Sequence, residues 1–393
     1  MDFRFARLID GTGAPPRGPG ALNLDSAGII RSLGQAGSSA VDVTGGGNWT
    51  LLPGLVDAHD HVCYDVGDEQ AQAREPLALL AVNGARNARA ILASGITTLR
   101  DMGEPGGIDH VVQQAITRGM IPGPDLIRCG NYLTPTGGHC WFDGLEVDGP
   151  DQVVATVRRL CREGVDFIKL MVSGGVSTPG SDPLQADMTD AEVAAAIATA
   201  HAKGKPVAAH LHGGPSLAPA LAAGLDTVEH GVYLTRQDLE RMAEAGAALV
   251  VTYGTMEAAL DCPDVPASVI EKFRRAADGY LETIAEALRV GVLLALGCDQ
   301  NHARIGQEIR ALLQAGAPPL RAIRAATLDG AAVCRVDGRT GSLEPGKTAD
   351  FIAVEGDPLA DPGAFDRVQL VVKAGRPVAA GGRCLEPGEV WPA

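Results

Sequence analysis

The sequence predicts an α/β fold: a (β/α)8 TIM barrel, with a small β-sandwich formed by the N- and C-terminal segments. Three observations predict it. Apolar runs alternate with Ala-rich helical stretches roughly eight times through the middle of the chain. Both ends carry short, alternating, Gly- and Pro-broken segments instead. The length of 393 residues accommodates one barrel plus a smaller unit.

The apolar runs are LLPGLVDAH, GITTLRDMG, DLIRCGNYL, DFIKLMVSGG, KPVAAHLHG, LDTVEHG, AALVVTYG and VLLALGCD. They place strands near 52–58, 97–101, 125–131, 166–172, 206–210, 227–230, 247–252 and 293–299. Strands apolar throughout, each followed by a helical pattern such as DQVVATVRRLCREG or TDAEVAAAIATAHAKG, indicate a parallel sheet buried on both faces. At the ends, FRFARLID, ALNLDS and GIIRSLGQ answer FIAVEGDP and VQLVVKAGRPV. These segments are expected to pair into one sandwich, because chain termini often lie close together. The expected organisation is 1–50 and 343–393 for the sandwich and 51–342 for the barrel.

Composition excludes several functions. A net charge of −15 leaves no basic surface for phosphate, so no nucleic-acid partner is expected. No apolar stretch reaches a membrane span, and MDFRFARLIDGTG lacks the pattern of a signal peptide. The 8 cysteines contain no C-x-x-C pair, and a reducing cytoplasm is the expected compartment.

Polar residues gather near the C-terminal ends of the expected strands: His59 and His61, Lys169, His210, His230 and Asp299. In a barrel these ends converge on the active-site face. His59 and His61, two apart on a strand, face the same way and can share a cation. Lys169 lies between apolar neighbours on a central strand, where an ammonium is costly to bury. Burial supplies instead the neutral amine that reacts with carbon dioxide to give a bridging carbamate. Asp299 has a bland role available as a helix N-cap and a chemical one as ligand and proton shuttle. Each feature alone is common. The order H-x-H, K, H, H, D over successive strand ends is specific.

On PGLVDAHDH, FIKLMVSGG, VAAHLHGG, TVEHGVYL and ALGCD the chain resembles the amidohydrolase superfamily, in the binuclear subtype with a carboxylated lysine. The end segments FRFARLIDGTG and GSLEPGKTADFIAVEGDPL resemble its β-sandwich, so the likeness covers nearly the whole chain. The resemblance implies two divalent metal ions, zinc first, with manganese or cobalt able to substitute. His59, His61 and Asp299 would hold the more buried ion and His210 and His230 the more exposed one. Lys169, carboxylated by CO2, would bridge them, and a hydroxide shared by the ions would attack a carbonyl carbon. TPTGGHCWFDG and EHGVYL are similar to Xaa-Pro and Xaa-Arg dipeptidases and to aryl-amide hydrolases. That likeness makes Tyr233 a group that polarises the substrate carbonyl, and His139 and His212 substrate contacts. His302, just past the last strand, is expected to line the pocket.

The expected activity is hydrolysis of the C–N bond of a dipeptide or N-acyl amino acid, by a chain that associates with copies of itself and takes small molecules. The aromatic pair Trp141–Phe142 and Gln300–Asn301 after Asp299 depart from the dipeptidase pattern. They point to the alternative of an aryl amide, carbamate or phenylurea. Cyclic-amide hydrolysis ranks lower. So does deamination, because no glutamate follows His210 in H-x-x-E spacing. A non-catalytic paralogue would lack ligands, and all of them are present.

Overall fold

The computed structural model describes residues 2–35, 37, 40–386, 389 and 391. Its centre is a run of parallel strands in chain order. Strands β1 (Leu55–Asp60), β2 (Ile96–Asp101) and β3 (Asp125–Arg128) pair side by side. So do β4 (Ile168–Met171), β5 (Val207–Leu211), β6 (Thr227–His230), β7 (Ala248–Val251) and β8 (Leu294–Leu296). The short strand Leu133–Thr134 extends the second sheet beyond β4. Backbone hydrogen bonds join the two sheets at both margins. Asp166 N donates to Arg128 O at 2.8 Å, and Asp299 N donates to His59 O at 2.8 Å.

Parallel neighbours require long crossovers, and helices supply them. Leu77–Ala93, Ile108–Thr117, Pro150–Arg162, Asp190–His201, Leu217–Ala223, Arg236–Ala245 and Ala267–Val290 lie between successive strands. Their starts are written locally. Thr189 with Glu192, and Thr235 with Asp238, form reciprocal capping boxes that satisfy free N–H groups. Strand and helix side chains together form one continuous apolar core.

The chain ends build two further sheets. One orders Ile30–Gly34, Gly20–Leu24, Asp2–Phe5 and Val41–Asp42. The other joins N-terminal Arg7–Leu8 and Trp49–Pro53 to C-terminal Phe351–Glu355, Val368–Lys373, Arg376–Ala380 and Arg383–Cys384. Phe3, Leu22, Leu51, Phe351 and Leu370 of both sheets share one buried cluster.

The expected first strand near 52–58 is in fact two. Leu52 pairs with Ile352 in the terminal sheet, and β1 starts at Leu55. Gly54 separates them, where a Cβ would sit 2.1 Å from Thr97 Oγ1. The strands expected over 125–131 and 293–299 end earlier, at Arg128 and Leu296. Asp299 lies outside β8 because the chain has already turned, to φ 48° at that residue.

Candidate active site

His59 is the penultimate residue of β1 and is buried. Its Nδ1 lies 2.8 Å from Glu229 Oε2 on β6. Glu229 also accepts from Arg100 Nη2 at 2.7 Å and from Thr227 Oγ1 at 2.5 Å. Burial works to raise the Glu229 carboxyl, but Arg100 and His59 outweigh it and bring it to about 2. An ionised Glu229 assigns the His59 proton to Nδ1 and leaves Nε2 as a bare lone pair. That Nε2 faces Asp299 Oδ1 at 3.5 Å.

His61, just past β1, repeats the device: its Nδ1 lies 2.9 Å from Gly103 O, which accepts, so Nε2 is bare. Burial pushes its imidazole down to about 4, and it is neutral at neutral pH. His59, His61 and Asp299 each offer a ligand atom within 4.8 Å of the others. Burial works against the Asp299 carboxylate, yet His59, His230 and His61 hold it well below the ordinary range. Gly297 makes this approach possible, because a Cβ there would stand 2.4 Å from His59 Cβ.

Lys169 on β4 is 0% exposed, and its Nζ has no hydrogen-bond partner. Burial lowers its pKa, against the pull of Glu229 and Asp299. His210 on β5 packs its ring 4.6 Å from those of His212 and His230, centroid to centroid, and 4.2 Å from that of His139. His210 Nε2 lies 3.2 Å from Gly174 O. His230 ends β6 at φ 69°, with Nδ1 2.8 Å from Thr252 Oγ1 and 3.7 Å from Asp299 Oδ2. Left-handed backbone at His230, Asp299 and Gln300 is strain concentrated where side chains are re-aimed, as at functional sites.

His59, His61, His139, Lys169, His210, His212, His230 and Asp299 all line one cleft that opens to solvent. Convergent bare nitrogens, a carboxylate and an orphaned buried amine fit divalent cations bound through nitrogen and oxygen. Carboxylated, that amine would offer a pair of ligand oxygens in place of an unsatisfied donor.

Other expected residues are placed differently. His212 is buried with both ring nitrogens unpartnered. Tyr233 is half-buried outside the cleft lining, its ring 6.2 Å from that of His212. His302 does not line the cleft either. Its Nδ1 bonds Asp60 Oδ2 at 2.8 Å and its Nε2 bonds Tyr64 O at 2.5 Å, so the ring is consumed as a pin between loops. Trp141 is exposed and off the cleft, and Phe142 packs beside Tyr132 and Met171. The apolar wall comes instead from Met171, Val176, Met256, Val265 and Phe273.

Sequence reasoning missed Glu229 and Arg100. The available signal was one ionisable residue of each sign inside two apolar strands, TVEH and TTLRD. Buried charges require partners.

Residues 50–378 match the amidohydrolase family. The chain is 31% identical over 355 residues to the ochratoxinase of Aspergillus niger, covering 82% of this chain and 73% of that protein. A crystal structure of a Xaa-Pro dipeptidase with methionine bound in its active site superposes with a TM-score of 0.87 at 28% identity, covering 95% of this chain and 98% of that one. A prolidase complexed with N-methylphosphonate-L-proline gives 0.89 at 26%, covering 97% and 100%. This chain belongs to the amidohydrolase family and is an enzyme acting on carbon–nitrogen bonds.

Proposed function

We propose that this enzyme hydrolyses the amide bond of a dipeptide or N-acyl amino acid at a centre of two divalent ions, zinc in preference to manganese or cobalt. The observation that carries the reading is the convergence of His59 Nε2, His61 Nε2 and the Asp299 carboxylate in one cleft with the unpartnered amine of Lys169. His59, His61 and Asp299 would hold one ion, His210 and His230 the other, and carboxylated Lys169 both. When bound, the ions supply Lewis acidity to a carbonyl and to water.

The chain's own residues do the rest. The neutral Lys169 amine adds to CO2 and releases one proton, giving the carbamate. Asp299, kept ionised by its imidazole neighbours, takes a proton from the attacking water at a carboxylate oxygen. It then delivers that proton to the leaving amine. His139, His212 and Tyr233 orient the substrate. The apolar wall and the likeness to ochratoxinase favour one second reading, an aryl amide, carbamate or phenylurea turned over by the same site.

The reading carries its scaffold with it: a closed (β/α)8 barrel over 51–342 and a β-sandwich from 1–50 and 343–393. It also includes association with copies of the chain and a cytoplasmic location. No helix among the described residues is long and apolar enough to cross a membrane.

The test is a hydrolysis screen of metal-loaded enzyme against dipeptides, N-acyl amino acids and aryl carbamates, with Asp299→Asn beside it. Turnover of the first two classes is expected, with a loss on the order of 100- to 10,000-fold in the variant. Turnover confined to aryl carbamates would remove the first reading, and near-normal Asp299→Asn activity would remove the proton transfer.

A further inference from the structure

Three successive backbone N–H groups past β8, those of Cys298, Asp299 and Gln300, are all held by β1. Cys298 N donates to Asp57 Oδ1 at 3.1 Å, Asp299 N to His59 O at 2.8 Å, and Gln300 N to Asp60 Oδ1 at 2.7 Å. The middle bond, to a backbone carbonyl, is of the kind a parallel sheet makes. The outer two go to side chains, because the chain has already turned, to φ 48° at Asp299 and 71° at Gln300. A buried N–H must still find an acceptor.

The same two carboxylate oxygens each take a second bond. Asp57 Oδ1 also accepts from His59 N at 3.1 Å, and Asp60 Oδ1 from His61 N at 2.9 Å. One oxygen therefore joins His59 to the residue before Asp299, and the other joins His61 to the residue after it. His59, His61 and Asp299 are the three residues whose ligand atoms meet within 4.8 Å. Both aspartates are fully buried, and neither lines the cleft, so they act through the residues they hold. Left-handed backbone outside glycine persists only where its surroundings over-determine it, and these bonds on either side of Asp299 do so.

We propose that Asp57 and Asp60 are positioning residues. They bracket Asp299 and set its carboxylate at the distance from His59 and His61 that a shared cation and a proton transfer both need. The working feature is an oxygen that accepts two N–H bonds, not its charge, so an amide oxygen should serve in its place. The pairing of Asp60 with His302 uses the other oxygen, Oδ2, and is separable from this role. The proposal rests on the reading of the cleft as a metal-dependent amide-hydrolysing centre.

The experiment measures Zn2+ binding by equilibrium dialysis, and kcat and KM on a substrate that wild type turns over, for wild type, Asp57→Ala, Asp57→Asn and Asp60→Asn. Thermal midpoints are recorded for each. Asp57→Ala is expected to bind zinc roughly 10- to 100-fold more weakly. Its kcat is expected to fall about 100-fold, the scale of a misplaced catalytic group, with KM little changed. Asp57→Asn should return both quantities close to wild type. Asp60→Asn should melt lower, through the lost charge opposite His302, yet keep zinc affinity and kcat close to wild type. Wild-type zinc affinity and kcat in Asp57→Ala overturn the proposal, as do asparagine variants as impaired as the alanine one. If Asp57→Ala does not fold, the asparagine variants decide: near-wild-type values uphold the proposal and impaired ones overturn it. Wild type that binds no zinc overturns the centre itself and the proposal with it.

Discussion

Glu229 decides which nitrogen of His59 carries the proton, and thereby which one is free to bind a cation. The control runs through a buried chain of three groups: Arg100 to Glu229 at 2.7 Å and Glu229 to His59 at 2.8 Å. In Glu229→Gln the amide oxygen can still accept from Nδ1, but Arg100 is left buried without a counter-charge. Removing one partner of a buried pair costs about 3–5 kcal/mol. Loss of a group that orients a ligand lowers metal affinity roughly 10- to 100-fold. Melting curves and equilibrium dialysis would measure both, and a variant matching wild type in both would deny Glu229 this role. The candidate ligands were legible because each stands out as a polar residue at the end of an apolar run. Glu229 was harder to read because its partner lies 129 residues away and only the fold joins them.

Helices and strands were legible because the period of apolar residues changes with the element. The loops were not, because their shape depends on groups that reach in from elsewhere. Lys272, on helix Ala267–Val290, illustrates this. Its ammonium donates to the carbonyl oxygens of Gly175, Thr178 and Ser181 at 3.2, 2.6 and 3.2 Å. It thereby clamps the loop after β4. That loop carries Val176 and Ser177 into the cleft, and Thr178 Oγ1 meets His139 Nδ1 at 2.8 Å. Gly175 is required there, since a Cβ would meet the His139 ring at 2.3 Å. The same helix supplies Phe273 to the apolar wall. Lys272→Met is expected to speed amide exchange across 175–181 and to raise KM more than it lowers kcat. Wild-type exchange in that segment would show that the clamp does not order the loop.

Across the whole molecule, contacts between distant parts of the chain position the first and last barrel strands. The terminal sheet couples Trp49–Pro53 to Phe351–Glu355, and this pairing fixes where β1 begins. His302 ties the chain after β8 to Asp60 at the end of β1. Burial opposes a charge on His302, but the Asp60 carboxylate outweighs it and raises the imidazole from 6.5 to about 9. A folded pKa above the unfolded value makes the stabilisation complete below about pH 6.5 and lost as pH rises through about 9, worth on the order of 3 kcal/mol. Wild type should therefore lose more thermal stability than His302→Gln between pH 6 and pH 9.5. Parallel pH profiles for the two proteins would sink this assignment. The His302 reading also shows the limit of position alone. Proximity to the last strand suggested a pocket residue, whereas the ring faces Asp60 and Tyr64 instead.

The account stands on Lys169 completing a centre that the imidazoles and Asp299 begin. Elemental analysis of purified wild type and Lys169→Ala, grown with metal in excess, tests this most directly. Two divalent ions per chain in wild type, most of that metal lost in Lys169→Ala, and partial return on adding short carboxylates is the expected result. Equal metal content in the two proteins, or none in either, would contradict it.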